Sequence, residues 1–261
     1  MRSRSRSVAL ALALSATACG APASPHPVSP TPPTVAPASG TASAVAMPPS
    51  PTPVPARDRP AGMDAVSRDR YLPMWKRPRS GDPDFVFDAR SPTGKGVAPM
   101  LVRDRRTLHG ERWLAVLLPI RPNGAAGWTH ADEVKLVGRN EEIVVDLSQR
   151  VLRHYVDDRL VNRFRVGVGL PQYPTGVGTF YVWQRVSFSD PNQPYGIFAL
   201  GLSGFSPVLS DWPGGGRMAI HGTPYASDRG RQVSHGCIRV YNEDMKHLLD
   251  VRLGTPVIIR K

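Results

Sequence analysis

Hydrophobic and polar positions divide this chain into three parts. An uncharged run of Ala and Leu lies near the N-terminus, a long stretch without apolar periodicity follows, and short apolar runs broken by Gly, Pro and Asp occupy the rest. Short apolar runs bounded by turn residues predict β-strands. We therefore expect a mostly β protein with two folded domains, residues 64–138 and 140–261.

The first folded domain is predicted from evenly spaced strands. The candidate strand segments are 85–87, 97–102, 113–118 and 127–128. The segments 112–116, 122–124 and 127–129 resemble bacterial SH3-like domains, small β folds that often precede catalytic domains acting on the cell wall. We expect Trp113 and Trp128 to be core residues rather than a platform for a ligand.

The second domain opens with three predicted strands, 143–147, 151–156 and 160–166, and its last strand covers 256–259. Asp157 and Asp158 predict a hairpin turn between the second and third strands. A single short helix is predicted after the final motif. It is expected to have Asn242 as its N-cap and to bury the side chains Met245, Leu248 and Leu249.

Residues 189–216 predict a long ordered loop. The stretch is rich in Pro and Gly but carries Tyr195, Phe198, Phe205 and Trp212, so it is too apolar for a solvated loop. Loops of this kind are often lids or binding elements.

Candidate chemistry is concentrated between His221 and Arg239. His221-Gly222-Thr223 is followed by Ser234-His235-Gly236-Cys237-Ile238-Arg239, and Cys237 is the one cysteine outside the extreme N-terminus. A cysteine acts as a nucleophile through its thiolate, which a neighbouring imidazole helps to form. A glycine turn before the nucleophile lets a backbone N–H face a developing oxyanion. The pattern therefore contains a nucleophile, two candidate bases and a possible oxyanion hole.

Two other interpretations of these residues stay open. A cysteine beside a histidine is often only a buried structural pair. His221, His235 and Cys237 are also zinc ligand types, but a fourth ligand and a second cysteine are missing from the folded part of the sequence, so we predict no metal. No Walker or dinucleotide-binding spacing occurs, and no cofactor is expected.

The complete pattern resembles the active-site signature of the L,D-transpeptidase (YkuD-type) family. The resemblance implies that Cys237 is the acylated nucleophile and His221 the general base. It implies further that the backbone carbonyl of Gly222 orients the base, and that His235 and Gly236 shape the oxyanion hole. Many members of the family have Ser at the position of Gly222.

The resemblance also supplies substrate-binding candidates, namely Arg239, Tyr195 and Ser234. Arg239 could equally brace the loop, and Tyr195 could simply pack. Residues 174–180 resemble a further element of the family, with Gly176 in the place of a proline.

The function implied by the resemblance is peptidoglycan cross-linking. Cys237 would attack the carbonyl of the third residue of a tetrapeptide stem, commonly diaminopimelate, and release the terminal D-Ala. The acyl group would then pass to the side-chain amine of a second stem, which makes a 3→3 cross-link. Two alternatives remain: an L,D-carboxypeptidase with the same residues, in which water replaces the amine, and a wall-binding lipoprotein without enzymatic function.

The N-terminal region predicts export. Residues 1–18 combine three arginines with an apolar run too short to span a bilayer, as in a signal peptide. Small residues before Cys19 resemble a lipobox, which implies a lipid anchor on Cys19. Residues 19–63 are rich in Pro, Ala, Ser and Thr and predict a disordered tether. We expect an exported protein at the outer face of the cytoplasmic membrane, in the periplasm or cell wall.

The formal net charge of +12 adds a preference for anionic partners. Cell-wall polymers and phospholipid headgroups are the anions that an exported protein meets. Export also argues against nucleic acid as the partner.

Overall fold

The computed structural model describes residues 62–212 and 214–261, and most of their regular structure is β-strand. The prediction of a mostly β fold with one short helix is confirmed. The signal peptide, Cys19 and the tether lie outside the described residues, so the expectations for them stay predictions. In the described part of the chain, no helix has the length and apolar character needed to cross a membrane.

The first seven strands form a five-stranded sheet and a separate hairpin. The sheet has the order β6-β5-β4-β1-β7, and β2 pairs with β3. The strands are β1 Met63–Ser67, β2 Tyr71–Met74, β3 Phe85–Asp88, β4 Met100–Leu108, β5 Glu111–Leu117, β6 Ala126–His130 and β7 Val134–Gly138. Ten buried side chains, among them Leu72, Met100 and Val116, form their core. The likeness of this part to an SH3-like domain stays a prediction.

Eight of the later strands form a second sheet with the order β10-β9-β8-β17-β12-β13-β14-β16. These strands are β8 Glu141–Asp146, β9 Val151–Val156, β10 Arg159–Arg165, β12 Gly178–Ser187, β13 Phe198–Phe205, β14 Arg217–Thr223, β16 Ile238–Tyr241 and β17 Pro256–Arg260. The short strands β11 Val168–Gly169 and β15 Gln232–Ser234 pair in parallel beside it.

Alternation along the central strands places one face of this sheet in the core. Leu200 of β13, Ile220 of β14 and Ile238 of β16 are fully buried in the same cluster. Their sequence neighbours point to the opposite face, because successive side chains of a strand alternate. The predicted turn at Asp157 and Asp158 is confirmed, since both residues have the positive φ that a tight hairpin between β9 and β10 requires.

We predicted one long ordered loop over residues 189–216, and this prediction is wrong. The middle of this stretch, Phe198–Phe205, is strand β13, paired with both β12 and β14. The apolar character of the stretch therefore has a simple source, a central strand of the sheet. The flanking residues 189–197, 206–212 and 214–216 form the loops that remain beside the site.

The predicted helix is present but differs in two details. Helix α1 covers Asn242–Met245 and continues as a 3-10 turn, Lys246–Leu248. Asn242 is its first residue rather than its N-cap, a position held by Tyr241. Met245 and Leu248 are buried as predicted, whereas Leu249 is 36% exposed and is not core.

Several contacts join the parts of the chain on either side of residue 139, among them an apolar cluster and a buried ion pair. Leu101 and Leu117 of the first sheet pack on Tyr181 of β12 in a separate apolar cluster. Arg139, at the start of the second part, pairs with the buried Asp64 and donates a hydrogen bond to Thr255 Oγ1 at 3.0 Å. The first sheet is thus fixed to the second by an apolar contact and a buried ion pair.

The two tryptophans predicted as core have different environments. Trp113 is 1% exposed, and its ring lies edge-on to Trp75 at 5.1 Å. Trp128 is only half-buried, and the Arg106 guanidinium lies over its ring at 4.9 Å. The core prediction therefore fits Trp113 better than Trp128.

Candidate active site

Cys237 and His221 are brought together by the parallel pairing of β14 with β16. In this register His221 lies beside Arg239 and Ile220 beside Ile238. Continuing the register by one residue places Cys237 beside Ala219, on the face of the sheet that also carries His221. The predicted base on β14 and the predicted nucleophile, directly before β16, therefore share one face of the sheet.

The imidazole of His221 is buried and held in one tautomer. Its Nδ1 lies 2.8 Å from the backbone oxygen of Gly222. Because a carbonyl oxygen can only accept, Nδ1 carries the proton and Nε2 keeps its lone pair. His221 is 4% exposed. Its pKa is lowered to about 4, chiefly by burial; the hydrogen bond to the Gly222 carbonyl opposes this effect, and the positive charge of Arg239 adds to it. His221 is therefore a neutral base across the physiological range.

The surroundings of Cys237 act on the pKa of its thiol in opposite directions. Burial raises the pKa of the thiol, while a backbone hydrogen bond from Ala219 and the positive charge of Arg239 lower it. Burial is the largest of these effects, so the net pKa is raised. The protonated thiol then predominates near neutral pH, and attack on a carbonyl requires a base to take the proton.

The loop before Cys237 is organised by Ser234. Its hydroxyl donates to the Cys237 carbonyl at 2.6 Å and accepts from the Gly236 N–H at 3.1 Å. Ser234 is 1% exposed, so a substrate contact, as we expected for it, does not fit this position. The Gly236 N–H is likewise occupied and is not free for an oxyanion. Gly236 instead supplies a φ of 113°, a conformation that favours glycine.

Arg239 is braced from inside the domain. Its Nη1 lies 3.2 Å from Asp228 Oδ2, which also accepts a hydrogen bond from the Thr223 hydroxyl at 3.0 Å. Its backbone N–H and carbonyl both bond to Gly167. Of the two roles left open for Arg239, the structure favours bracing. Asp228 could not be predicted from the sequence, since no motif marks a lone acidic residue in a turn.

His235 and Tyr195 are the exposed aromatic residues of the site. The His235 ring stacks on Trp212 at 4.9 Å and leans on Tyr173 at 4.7 Å. Tyr195 is 42% exposed, and its ring lies edge-on to the His221 ring at 4.9 Å. Tyr195 therefore packs on the base itself, while His235 anchors the loop that carries Trp212.

Gly222 is confined by a residue that we had interpreted as a helix cap. The Asn242 side chain accepts the Ile197 N–H at 3.2 Å and donates to the Pro191 carbonyl at 2.8 Å. A Cβ atom built on Gly222 would lie 2.5 Å from Asn242 Oδ1. A serine here would therefore collide with Asn242.

We expect Gly222→Ser to destabilise the fold by about 1–3 kcal/mol, because the added side chain overpacks this site. It should also lower activity, since it displaces the carbonyl that orients His221. Thermal unfolding of the variant measures the first effect. Gly138→Ser is the matched control, because a Cβ atom at Gly138 meets nothing within 4 Å. Equal unfolding midpoints for the two variants would contradict the packing argument.

The loop that carries Trp212 is held by residues of the first sheet's connection 118–125. Asn123 pairs with Phe205 through two hydrogen bonds, to its carbonyl at 2.7 Å and from its N–H at 2.8 Å. Arg121 donates to the carbonyls of Ser206, Leu209 and Gly215 at 2.8–3.2 Å. We call Arg121 and Asn123 the loop clamp. Sequence reasoning missed it, because contacts across about 85 residues leave no local signal.

A metal centre finds no support among the residues that the structure describes. Within them, no three side chains of His, Cys, Asp or Glu are grouped as a metal ion would require. His221 Nδ1 is engaged with a carbonyl, and His235 lies between two aromatic rings.

Comparison with known proteins shows which sequences and structures this chain resembles. A sequence model of the YkuD family, described as the L,D-transpeptidase catalytic domain, matches residues 140–259. The YkuD protein of Bacillus licheniformis is 35% identical over 109 residues, covering 42% of this chain and 58% of that protein. The YkuD protein of Bacillus subtilis is 29% identical over 154 residues, covering 56% of this chain and 86% of that protein.

The solved structures that resemble this chain include an L,D-transpeptidase from Mycobacterium smegmatis. It is 17% identical, and the match has a TM-score of 0.38 and covers 58% of this chain and 91% of that one. This chain spans less than two thirds of the length of the Bacillus licheniformis relative. The similarity therefore concerns residues 140–259 and the motif within them. These residues match the sequence model of the L,D-transpeptidase catalytic domain of the YkuD family.

Proposed function

We propose that this protein is a cell-wall L,D-transpeptidase that forms 3→3 cross-links between peptidoglycan stems through a thioester on Cys237. The observation that carries the proposal is the bond from His221 Nδ1 to the Gly222 carbonyl, at 2.8 Å. This bond leaves Nε2 as an acceptor on the sheet face that Cys237 shares. A neutral imidazole beside a protonated thiol is the pair needed for base-assisted attack.

In the acylation step, His221 Nε2 takes the thiol proton as the Cys237 sulfur bonds to the carbonyl carbon of the third stem residue. The bond from that carbon to the nitrogen of D-Ala then breaks, and His221 passes its proton to the leaving amine. D-Ala and a thioester result. Since the Gly236 N–H is occupied by Ser234, the Cys237 N–H is the backbone donor that we assign to the oxyanion.

In the second step, the side-chain amine of another stem attacks the thioester carbon. The new amide bond forms as the bond from carbon to sulfur breaks. His221 takes one proton from the amine and returns it to the sulfur. Water in the place of the amine would give a carboxypeptidase with the same residues. Acylation is identical in both cases, so only the products separate them.

The remaining parts of the chain extend this proposal. We assign residues 64–138 to an SH3-like domain and Cys19 to a lipid anchor, with residues 19–63 as the tether between them. The formal net charge of +12, which becomes 12 − 3 = +9 when a signal peptide with Arg2, Arg4 and Arg6 is removed, suits anionic wall polymers near the membrane. A tethered enzyme of this kind would reach stems at some distance from its anchor.

The experiment that tests the function uses the full chain in mild detergent, incubated with a disaccharide tetrapeptide and analysed by mass spectrometry. We expect loss of D-Ala and formation of a dimer one D-Ala lighter than two substrates. Cys237→Ala should give neither product. Trimmed monomer without dimer would favour the carboxypeptidase. A folded chain that leaves the substrate unchanged would contradict both enzymes and favour a wall-binding protein.

A further inference from the structure

A groove of about 500 Å³ lies on the sheet face opposite the catalytic domain's core. Its floor consists of three small residues, Ala199, Gly201 and Ala219. Large side chains would fill the space above these positions, so their absence leaves a channel on a surface of paired strands. The aromatic wall of the groove is formed by Trp183, Phe188 and Tyr195.

One end of the groove reaches the catalytic pair. Ala219 forms the backbone hydrogen bond to the Cys237 sulfur, and Tyr195 packs against the His221 ring. A peptide lying in the groove would therefore present its backbone to the nucleophile. A pocket lined by aromatic side chains with a few polar groups is typical of ligand sites.

The other end of the groove carries the guanidinium of Arg217. It lies 3.9 Å from the Trp183 ring centre and 4.3 Å from that of Phe205. Two of its N–H groups donate to the carbonyls of Leu202 and Pro119, at 3.0 and 3.2 Å. A guanidinium has five N–H groups, so three remain.

Arg217 has a charge that the surrounding protein does not neutralise. No carboxylate forms an ion pair with it anywhere in residues 62–212 and 214–261. The titratable groups near it are Tyr181, whose phenol stays protonated and uncharged because burial raises its pKa, and a second cation, Arg121. Burial lowers the pKa of Arg217 to about 10, so it stays cationic at neutral pH. A partly buried cation without a carboxylate favours an anionic ligand.

We propose that Arg217 binds a carboxylate of the stem peptide close to the carbonyl that Cys237 attacks; this inference rests on the proposed function. Arg217 and Ala219 are two residues apart on β14, which corresponds to about 6.6 Å along the strand. A carboxylate on the attacked residue or on its leaving neighbour lies within that range of the reacting carbonyl. Arg217 thereby selects stems by charge.

Two carboxylates of a tetrapeptide stem meet this description. One is the C-terminal carboxylate of the leaving D-Ala, and the other is the free carboxylate on the diaminopimelate side chain. Amidation of each in turn removes its charge and leaves the rest of the peptide unchanged. Three substrates, the parent tetrapeptide and the two single amides, therefore identify which carboxylate Arg217 binds.

The experiment measures kcat/KM for D-Ala release from these substrates with the full wild-type chain, Arg217→Gln and Arg217→Lys. We expect the wild type to prefer the parent over one amide by about 10- to 100-fold, as for a charged hydrogen bond. Arg217→Gln should lose this preference. Arg217→Lys should keep part of it, because the charge remains but the planar fork is lost.

Arg185→Gln serves as the matched control, since this guanidinium also lies over an aromatic ring, Phe198, at 5.5 Å, but does not line the groove. It should retain the wild-type preference. Preferences unchanged in Arg217→Gln would overturn the inference. A wild-type chain inactive toward all three substrates would instead count against the proposed function.

Measurements of peptide affinity test the role of Arg217 without catalytic turnover. Calorimetry compares the three peptides on Cys237→Ala and on Cys237→Ala with Arg217→Gln or Arg217→Lys. The parent peptide should bind about 10-fold or more tightly than the critical amide only when residue 217 is Arg. Equal affinities of Cys237→Ala for all three peptides would overturn the assignment. If the variant with Arg217→Gln does not fold, the variant with Arg217→Lys takes its place.

Discussion

His221→Gln is expected to lower the rate of Cys237 acylation by about 10²- to 10⁴-fold, the range for removal of a general base. Glutamine has a similar size, but it has no lone pair of suitable basicity to take the thiol proton. Burial raises the pKa of the Cys237 thiol, so little thiolate forms at neutral pH without a base. The measurement is D-Ala release from the tetrapeptide under single-turnover conditions. His247→Gln, on an exposed histidine, should retain the wild-type rate.

The pH dependence of the rate of Cys237 acylation tests whether neutral His221 accepts the thiol proton. Because burial lowers the pKa of His221 to about 4, the base is neutral above that pH and protonated below it. The wild-type rate should therefore fall only as the pH drops toward 4. In His221→Gln the plateau above pH 4 should be lost, and the residual rate should rise about tenfold per pH unit up to the pKa of the thiol, since only preformed thiolate reacts. A wild-type acid limb near pH 6.5 would contradict the assignment of His221 as a buried neutral base.

The residues of the chemical motif could be predicted from the sequence because they lie close together along the chain. His221, Gly222 and Cys237 fall on two paired strands and the loop before one of them. Their residue types already limit what they can do: a thiol, an imidazole and a glycine turn. The strands β8 to β10 were predictable for a similar reason, since their alternation and the turn at Asp157 are local signals.

The supporting residues could not be predicted, because their roles depend on contacts across the chain. Asn242 has the residue type of a helix cap, yet its amide fills the space beside Gly222 and bonds to Ile197. Ser234 looked like a substrate contact because it belongs to the motif, whereas its hydroxyl is used within the loop. The strand β13 was hidden by the Pro and Gly residues that surround it. In each case tertiary packing decided between interpretations that the local sequence permits.

The loop clamp shows how the first sheet acts on a site formed by the second. Asn123 and Arg121 bind backbone groups of Phe205 and of the segment 206–216, whose Trp212 stacks on His235. The carbonyls of Leu209 and Gly215 can turn to water when Arg121 is lost, because these two residues are not buried. Loss of the clamp should therefore change the position of the segment more than the stability of the fold.

The double variant Asn123→Ala with Arg121→Ala is expected to lower kcat for D-Ala release by about 10²-fold, the effect of misplacing a site by about 1 Å. Its unfolding midpoint should fall by no more than about 4 °C, which corresponds to about 1 kcal/mol in a domain of this size. The control is Arg112→Ala, which should retain full activity. It removes an exposed arginine of the first sheet that pairs with Asp132. A double variant with the wild-type kcat would show that Trp212 keeps its place on His235 without the clamp. A proportional loss of kcat and stability would assign Arg121 and Asn123 to the fold alone. The expected separation of the two measurements would make both of them positioning residues of the active site.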